Sequence, residues 1–125
     1  MQNLLFSFEG RTSRAPYWYV QLAIIIVHGA IFAFMYDRIV RPAMYSSYAL
    51  AEAAMEMNFM WLLLIPFYLI GLAVAVKRCH DHDKSGWWLL LGLVPVIGPI
   101  VLLVELGFRR GTTGPNRFGP DPLGA

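Results

Sequence analysis

The sequence has 125 residues, a length typical of a single domain. Hydrophobic residues make up 58% of it and charged residues only 14%, whereas a soluble domain carries roughly 25% charge, so the composition excludes an ordinary soluble domain and indicates a membrane protein. The net charge of +2 is too small and scattered to indicate a nucleic-acid partner, and a single cysteine excludes an internal disulfide framework.

The chain starts with a polar N-tail, residues 1–16, which we expect to lie at the membrane interface. The first apolar run follows over residues 17–36, and as a helix it reaches roughly 30 Å, one hydrocarbon thickness. Aromatic residues such as Trp18 lie at its ends, as is typical of interfacial anchors. The run is too long for the hydrophobic part of a secretory signal, and no small-residue cleavage site follows it. We therefore predict a mature transmembrane helix.

Residues 37–57 are predicted to form an outer loop with a helical extension, because they are rich in good helix formers from about Ser46 or Ser47 onward. The second apolar run, residues 58–76, is predicted to form the second transmembrane helix, with a kink at Pro66. A polar loop is then predicted over residues 77–86.

The third apolar run, residues 87–106, contains the sequence P-V-I-G-P at its centre. Pro95 and Pro99 each remove a helical N–H and clash with the preceding turn, and Gly98 lies between them. The flanking eight and seven residues reach only about 10–12 Å as helices, less than half of the hydrocarbon core. Two interpretations are open: a re-entrant hairpin, which we favour, and a kinked third span.

The distribution of basic residues supports the hairpin, since cytoplasmic segments carry an excess of lysine and arginine. With a cytoplasmic N-tail and a spanning third run, five basic residues would lie on each side of the membrane. With a re-entrant run, the Gly/Pro-rich tail, residues 107–125, returns to the cytoplasm and the count becomes eight against two. We therefore predict an all-α integral membrane protein with two transmembrane helices, a broken third apolar segment, and a polar cytoplasmic loop and tail.

This topology places the N-tail, the polar loop and the tail on one side of the membrane. Their side chains combine arginine with aspartate and asparagine, the groups that form bidentate salt bridges and bind phosphate. Within this set we expect an N-tail arginine to reach Asp81 or Asp121, because charges beside a low-dielectric layer need partners. The predicted polar cluster consists of Arg11, Arg14, Arg78, His80, Asp81, Asp83, Asn116, Arg117 and Asp121.

The loop sequence H-D-H-D raises the question of a metal site. His80 and His82 fall on one face of an extended loop, and the two aspartates would complete a ligand set. Because four adjacent ligands rarely close around one ion, we predict no metal and no cofactor. We instead expect His80 and Asp81 to fix the loop through hydrogen bonds and salt bridges to arginines.

Single residues in the apolar runs allow two interpretations each. His28 lies near the middle of the first run, where an ionisable group is a functional candidate; the alternative is a neutral imidazole bonded to a backbone carbonyl or a neighbouring helix. Trp87 and Trp88 are most simply interfacial anchors, like Trp18. Cys79 is interpreted as a small apolar filler.

Four motifs of arginine, glycine, proline and aromatic residues are spaced along nearly the whole chain. They are F-x-G-R-x-S-R-x-x-Y-W from residue 8, R-x-H-D-x-x-x-S-G-W-W from residue 78, P-x-I-G-P from residue 95, and G-P-N-R-F-G-P-D-P from residue 114. In these motifs the sequence resembles the domain of unknown function 805 family. The resemblance implies a multi-pass protein of the bacterial inner (cytoplasmic) membrane, without established activity or catalytic residues. Asp83 stands where that family more often has glycine, so the resemblance does not imply a tight turn at this position.

No nucleotide-binding, nucleophile-elbow, zinc-protease or paired-carboxylate motif is visible, which favours a non-enzymatic role. We expect the basic and aromatic cytoplasmic face to bind anionic lipid headgroups or a protein partner, since a juxtamembrane basic residue contributes about 1 kcal/mol near an anionic surface. One alternative is a transporter or channel subunit in a homo-oligomer, with His28 lining the pathway. Another is a membrane enzyme that acts on a lipid or phosphate substrate through His80 and Asp81.

Overall fold

A computed structural model describes residues 5–45 and 47–124, apart from the side chains of Ala43 and residues 47–56. Within these residues the regular structure is helical, and the only pairing of extended backbone is an isolated antiparallel bridge. The elements in chain order are helix α1 (Arg14–Met35), a π-helical segment (Tyr36–Val40), α2 (Arg41–Ala43), α3 (Ser47–Asp81), a 3-10 helix (Gly86–Leu93), α4 (Ile97–Leu102) and a second π-helical segment (Leu103–Phe108).

Two helical stretches, Arg14–Val40 and Met57–Asp81, are long and apolar enough to cross a membrane. Only 6% and 17% of their most apolar windows are buried inside the protein, whereas the core helix of a soluble protein would be mostly buried. The apolar surface of both helices is therefore available to lipid. For the described residues, the prediction of an all-helical chain with two apolar helices of spanning length is confirmed.

The helix boundaries differ from the predicted ones. Helix α1 begins at Arg14, three residues before the predicted start, and α3 continues unbroken past Pro66 to Asp81. The polar loop predicted over residues 77–86 is therefore shorter, because its first five residues are helical. The reason is tertiary: Lys77, Arg78 and Cys79 are buried, and this burial extends the helix beyond its apolar run. The predicted start of the extension at Ser46 lies outside the described residues; α3 begins at Ser47.

The chain divides into two compact units, which are described separately. Unit 1 comprises Met1–Gln21 and Ile70–Ala125, and unit 2 comprises Leu22–Leu69. The buried residues of unit 1 include polar and charged side chains, whereas the small core of unit 2 is apolar. In unit 2, buried Met35 and Ile39 pack with the partly buried side chains of Ile31, Met57 and Met60.

The third apolar segment of unit 1 reverses its direction. The 3-10 helix ends in a turn at which Val96 has a positive φ of 66°, and α4 follows. Gly98 lies so close to the carbonyl oxygen of Leu91 that a Cβ atom would overlap it. At the open end, Lys84 Nζ lies 2.7 Å from Glu105 Oε2, whereas a straight helix would separate residues 21 positions apart by roughly 30 Å. We call residues 84–108 the folded-back segment.

Candidate functional site

Three charged side chains from the N-tail and the end of α3 form the centre of the polar cluster in unit 1. Asp81 accepts hydrogen bonds from Arg11 Nε and Nη2 at 3.1 and 2.9 Å through one carboxylate oxygen, and from Arg78 Nη1 through the other. The side chains of both ion pairs are at most 5% exposed. The predicted contact between an N-tail arginine and Asp81 is thus present. We call Arg11, Asp81 and Arg78 the buried triad.

Arg11 uses all five of its N–H donors. Besides its two bonds to Asp81, it donates to the carbonyl oxygens of Thr112 at 2.6 Å, Gly114 at 2.7 Å and Gly119 at 3.3 Å. A guanidinium has five donors in a fixed planar arrangement, so the C-terminal tail is shaped around this one side chain.

Arg78 connects the same centre to the folded-back segment. Its Nε donates to Leu106 O at 2.7 Å, Nη1 also donates to Thr12 O at 3.4 Å, and Nη2 donates to Arg109 O. The triad contains two cations and one carboxylate, so backbone carbonyl dipoles carry the rest of the stabilisation that a buried cation requires.

The tail also closes the C-terminal end of α3, where helix carbonyl groups lack partners within the helix. Thr112 donates to Asp81 O from both its backbone N (2.8 Å) and its Oγ1 (2.9 Å), and Asn116 Nδ2 donates to His80 O at 2.9 Å. Gly111 is required beside this contact, because a Cβ atom there would overlap the Asp81 carboxylate. The tail therefore completes the helix end that presents Asp81.

His80 is held on both of its sides. Its Nδ1 donates to Gly10 O at 3.1 Å, and its ring stacks on Phe118 with a centroid distance of 3.9 Å and an interplanar angle of 3°. The imidazole fixes the N-tail and the tail against α3. A backbone carbonyl and an aromatic ring thus hold His80, whereas the bonds to arginine that the sequence analysis expected are made by Asp81.

Two other predicted members of the cluster lie in the tail. Asp121 accepts hydrogen bonds from the backbone N–H groups of Leu123 and Gly114 at 2.9 Å each, and these bonds lower the pKa of its carboxyl. Asn116 pairs with Gly119 through the isolated bridge. Asp121 stabilises a tail turn, and its contacts here are with the tail backbone.

The remaining predicted members lie at the surface. Arg117 Nε pairs with Asp83 Oδ1 at 3.1 Å, with side chains that are 62% and 47% exposed. Exposed Arg14 donates one hydrogen bond, to Phe108 O at 3.2 Å. Asp83 has a φ of 56°, so a tight turn forms here without glycine; aspartate tolerates the left-handed region better than most residues.

Two of the predicted aromatic anchors and three charged residues make contacts at the ends of the folded-back segment. Trp18 Nε1 donates to Gly107 O at 3.0 Å, and Lys84 Nζ lies 4.0 Å from the ring centroid of Trp88. Glu105 accepts from Lys84 and Arg109, and the bond from Lys84 is the main reason for its lowered pKa. Trp87 is 77% exposed.

Sequence reasoning missed several residues of this site. Thr12, Thr112 and Gly111 act mainly through backbone atoms or close packing, and Lys84 and Glu105 pair across the reversal of the chain. Of these residues, only Gly111 could have been noticed in the sequence, as a glycine immediately after two arginines.

Among the described residues, no group of three His, Cys, Asp or Glu side chains is arranged to hold a metal ion. His82 makes no bond through its buried Nε2 within that part of the chain, and burial, together with nearby Arg78, lowers its pKa.

His28 belongs to unit 2 and is not a member of this cluster. Its Nδ1 is 2.8 Å from Ile24 O in the preceding turn of α1, which is the backbone bond that the sequence suggested as one interpretation. Its ring also contacts Tyr68 edge-on, at a centroid distance of 4.9 Å.

Comparison with known proteins gives a consistent match. A family model described as "Protein of unknown function (DUF805)" matches residues 5–120. Two Escherichia coli (strain K12) proteins, inner membrane proteins YhaH and YhaI, are 35% and 38% identical over 115 and 116 residues; the matches cover 92% of this chain and 86% and 85% of theirs. The uncharacterized E. coli protein YiiR is 29% identical over 150 residues, covering 97% of this chain and 89% of its own. No solved structure matches the chain significantly.

Proposed function

Because this chain belongs to the DUF805 family of unknown function, whose members include inner membrane proteins, we propose that it is a non-enzymatic membrane module that holds anionic lipid headgroups at its cytoplasmic face. The main observation behind this proposal is that the two units differ in net charge. Unit 1 contains eight basic and five acidic residues, a net charge of +3, whereas unit 2 contains two basic and three acidic residues, a net charge of −1. An anionic surface would attract unit 1 in particular.

The buried triad narrows the set of groups that can meet a headgroup. Arg11 and Arg78 are buried and bonded within the protein, so they are structural rather than lipid ligands. Arg109 and Arg117 are exposed but paired with carboxylates. The available cations are Arg14, with one backbone bond, and exposed Arg110, which makes no hydrogen bond within the described part of the chain.

A shallow hollow beside the folded-back segment offers a place for such a lipid. It has a volume of about 430 Å³ and is lined by Ser85, Trp87, Trp88 and Leu91. Lys84 lies over the ring of Trp88, but its ammonium is already paired with Glu105. Tryptophan favours the headgroup level, so the two indoles of the hollow suit the boundary between phosphate and acyl chain.

We further propose that the folded-back segment enters the cytoplasmic leaflet and leaves on the same side. The residues at its tip expose large apolar side chains: Leu93 is 79%, Val96 72% and Ile97 64% exposed. Exposing these apolar side chains to water costs free energy, whereas the hydrocarbon of the lipid solvates them. The segment's two ends, tied by Lys84 and Glu105, would then remain in the headgroup layer.

The proposed topology predicts that both termini face the cytoplasm. A reporter that is active only in the cytoplasm, fused after Ala125, should be active, and a cysteine placed there should resist labelling by a membrane-impermeant reagent applied from outside. A cysteine replacing Tyr45, in the predicted outer loop, should be labelled in the same cells. Labelling of the C-terminal cysteine from outside would contradict re-entry and indicate a third span.

The lipid proposal predicts that purified protein retains phosphatidylglycerol over phosphatidylcholine from an equal mixture. Arg14→Gln and Arg110→Gln should each lower this preference by up to about fivefold, since one basic residue contributes about 1 kcal/mol near an anionic surface. Mass spectrometry of co-purified lipid measures the ratio. Arg38→Gln is the matched control, because Arg38 is also exposed and makes no ion pair within the described residues but belongs to unit 2. Unchanged selectivity in both test variants, with normal folding, would rule out headgroup binding by these arginines.

A further inference from the structure

His82 connects the buried triad to the closed ends of the folded-back segment along the chain. It directly follows Asp81 of the triad and stands two residues before Lys84, whose ammonium pairs with Glu105. The backbone N–H groups of His82 and Lys84 both donate to Cys79 O, at 3.0 Å each. Because one carbonyl group holds both residues, a displacement of His82 disturbs the backbone that carries Lys84.

The imidazole of His82 is placed as a neutral ring. Its Nε2 is buried and has no hydrogen-bond partner among the described residues. In a neutral ring this nitrogen can remain an unprotonated lone pair, with the proton on Nδ1, whereas in a charged ring both nitrogens carry protons. A charged N–H group that is buried without an acceptor is strongly unfavourable. The closed arrangement therefore favours the neutral imidazole.

The charged groups that act on His82 offer it no unpaired carboxylate. They are Arg78 and Asp81 at the end of α3, Lys84 in the following turn and Glu105 in the second π-helical segment. Both oxygens of Asp81 accept from the triad arginines, and both oxygens of Glu105 accept from basic side chains. Burial is the main reason for the lowered pKa of His82, and the charge of Arg78 is the next.

We propose that protonation of His82 opens the ends of the folded-back segment by drawing Glu105 away from Lys84. The two neighbouring carboxylates differ in how easily their present partners can be solvated. The arginines that hold Asp81 are 1% exposed, whereas Lys84, which holds Glu105, is 25% exposed. A released Lys84 can therefore bond to water, while the charged imidazole gains a carboxylate acceptor.

The direction of the pKa shift gives the pH range of this opening. In the closed arrangement the pKa of His82 lies below the ordinary value of about 6.5, and in the open one a carboxylate acceptor holds it at that value or above. The closed arrangement is thus fully stable above the open-state pKa and loses stability as the pH falls toward the closed-state pKa. One proton lowers the closed-to-open ratio by up to about tenfold per pH unit. Glu105 stays ionised over this range, because its pKa is lowered, chiefly by the bond from Lys84.

Spin labels at the two ends of the folded-back segment measure the opening. Cysteines replace Trp87 in the 3-10 helix and Val104 in the second π-helical segment, both of which are exposed, whereas native Cys79 is buried and does not take the label. The full chain in dodecyl maltoside is titrated from about pH 8 to about pH 4.5, which spans the ordinary histidine pKa. Dipolar coupling between the labels should fall by at least about half, since up to tenfold per pH unit is expected.

Two further signals separate this opening from general unfolding in acid. In protein labelled with ¹⁵N-histidine, the resonances of His82 should report protonation with the same midpoint as the loss of coupling. Labels on α1 in place of Leu22 and Ile26, four positions apart, should keep their coupling throughout the titration.

Variants test whether His82 is the titrating group. His82→Phe keeps a ring but cannot be protonated, so its coupling should stay at the native pH 8 value down to about pH 4.5. His80→Phe is the matched control. Burial also lowers the pKa of His80, but its Nδ1 already donates to Gly10 O, and its Nε2 is not a buried unpaired atom within the described part of the chain. This variant should lose coupling as the native protein does.

Unchanged coupling while His82 becomes protonated, a loss of coupling while it stays neutral, or a native loss of coupling in folded His82→Phe would each overturn the proposal. So would a His82 that stays neutral throughout the titration. If His82→Phe does not fold, the two midpoints in the native protein decide the question. The opening requires neither bound lipid nor the proposed topology, so its outcome is independent of the proposed function.

Discussion

Replacing Asp81 with asparagine is expected to lower the free energy of unfolding by about 3–5 kcal/mol. The substitution keeps the size of the side chain but removes the only carboxylate of the buried triad. Arg11 and Arg78, whose side chains are 1% exposed, would then face each other's charge without an anion between them. An uncompensated buried charge is among the most destabilising changes that a single substitution produces. Reversible unfolding of the purified protein in mild detergent, followed by circular dichroism, measures the difference.

Asp83→Asn is the matched control, two residues away. Its partner Arg117 is 62% exposed, and exposed ion pairs contribute about 0–1 kcal/mol, so this variant should unfold nearly as the native protein does. If Asp81→Asn and Asp83→Asn had equal and small effects, the triad would not be the stabilising centre of unit 1.

Gly98→Ala is expected to destabilise the folded-back segment by about 1–3 kcal/mol or more, the range for overfilling a tightly packed position. A Cβ atom at this position would overlap the backbone carbonyl of Leu91, which cannot rotate away as a flexible side chain can. The 3-10 helix and α4, which are the two arms of the folded-back segment, would have to separate. Thermal unfolding in detergent should show a lower midpoint for the variant.

Gly29→Ala supplies the comparison, because a Cβ atom on Gly29 meets nothing within 4 Å and the residue lies inside α1. Alanine is the better helix former by about 1 kcal/mol, so this variant should be as stable as the native protein or more stable. A Gly98→Ala protein as stable as Gly29→Ala would mean that the two arms do not pack closely.

The sequence predicted the two apolar helices well, because the length of an uninterrupted run of apolar residues can be counted directly in the sequence. It also predicted that Arg11 or Arg14 would meet Asp81 or Asp121, since opposite charges next to a low-dielectric layer have few other solutions. It did not distinguish Arg11, which is buried, from Arg14, which is exposed. Both arginines stand in the same motif, and their environments differ because only Arg11 bonds to Asp81 and to the tail, through contacts that form in the folded chain.

The partners of Arg11 and Arg78 were beyond sequence reasoning for a simple physical reason. Six of their bonds go to backbone carbonyl oxygens, which every residue possesses, so no side-chain pattern reveals which ones are used. The end of α3 was misplaced for a related reason. Its last five residues are polar in composition but include Lys77, Arg78 and Cys79, which are buried by contacts that form only in the folded chain.

The bonds of Arg11 have a consequence for the order of events during synthesis. Its carbonyl partners Thr112, Gly114 and Gly119 lie 101 to 108 positions later in the chain. At 5–20 residues per second, about 5–20 seconds separate the translation of this arginine from that of its acceptors. Both apolar helices are translated in that interval, while the arginine stays hydrated. A ribosome that stops before Thr112 therefore leaves both apolar helices but an open triad, so the tail can close the triad only after both apolar helices have been translated.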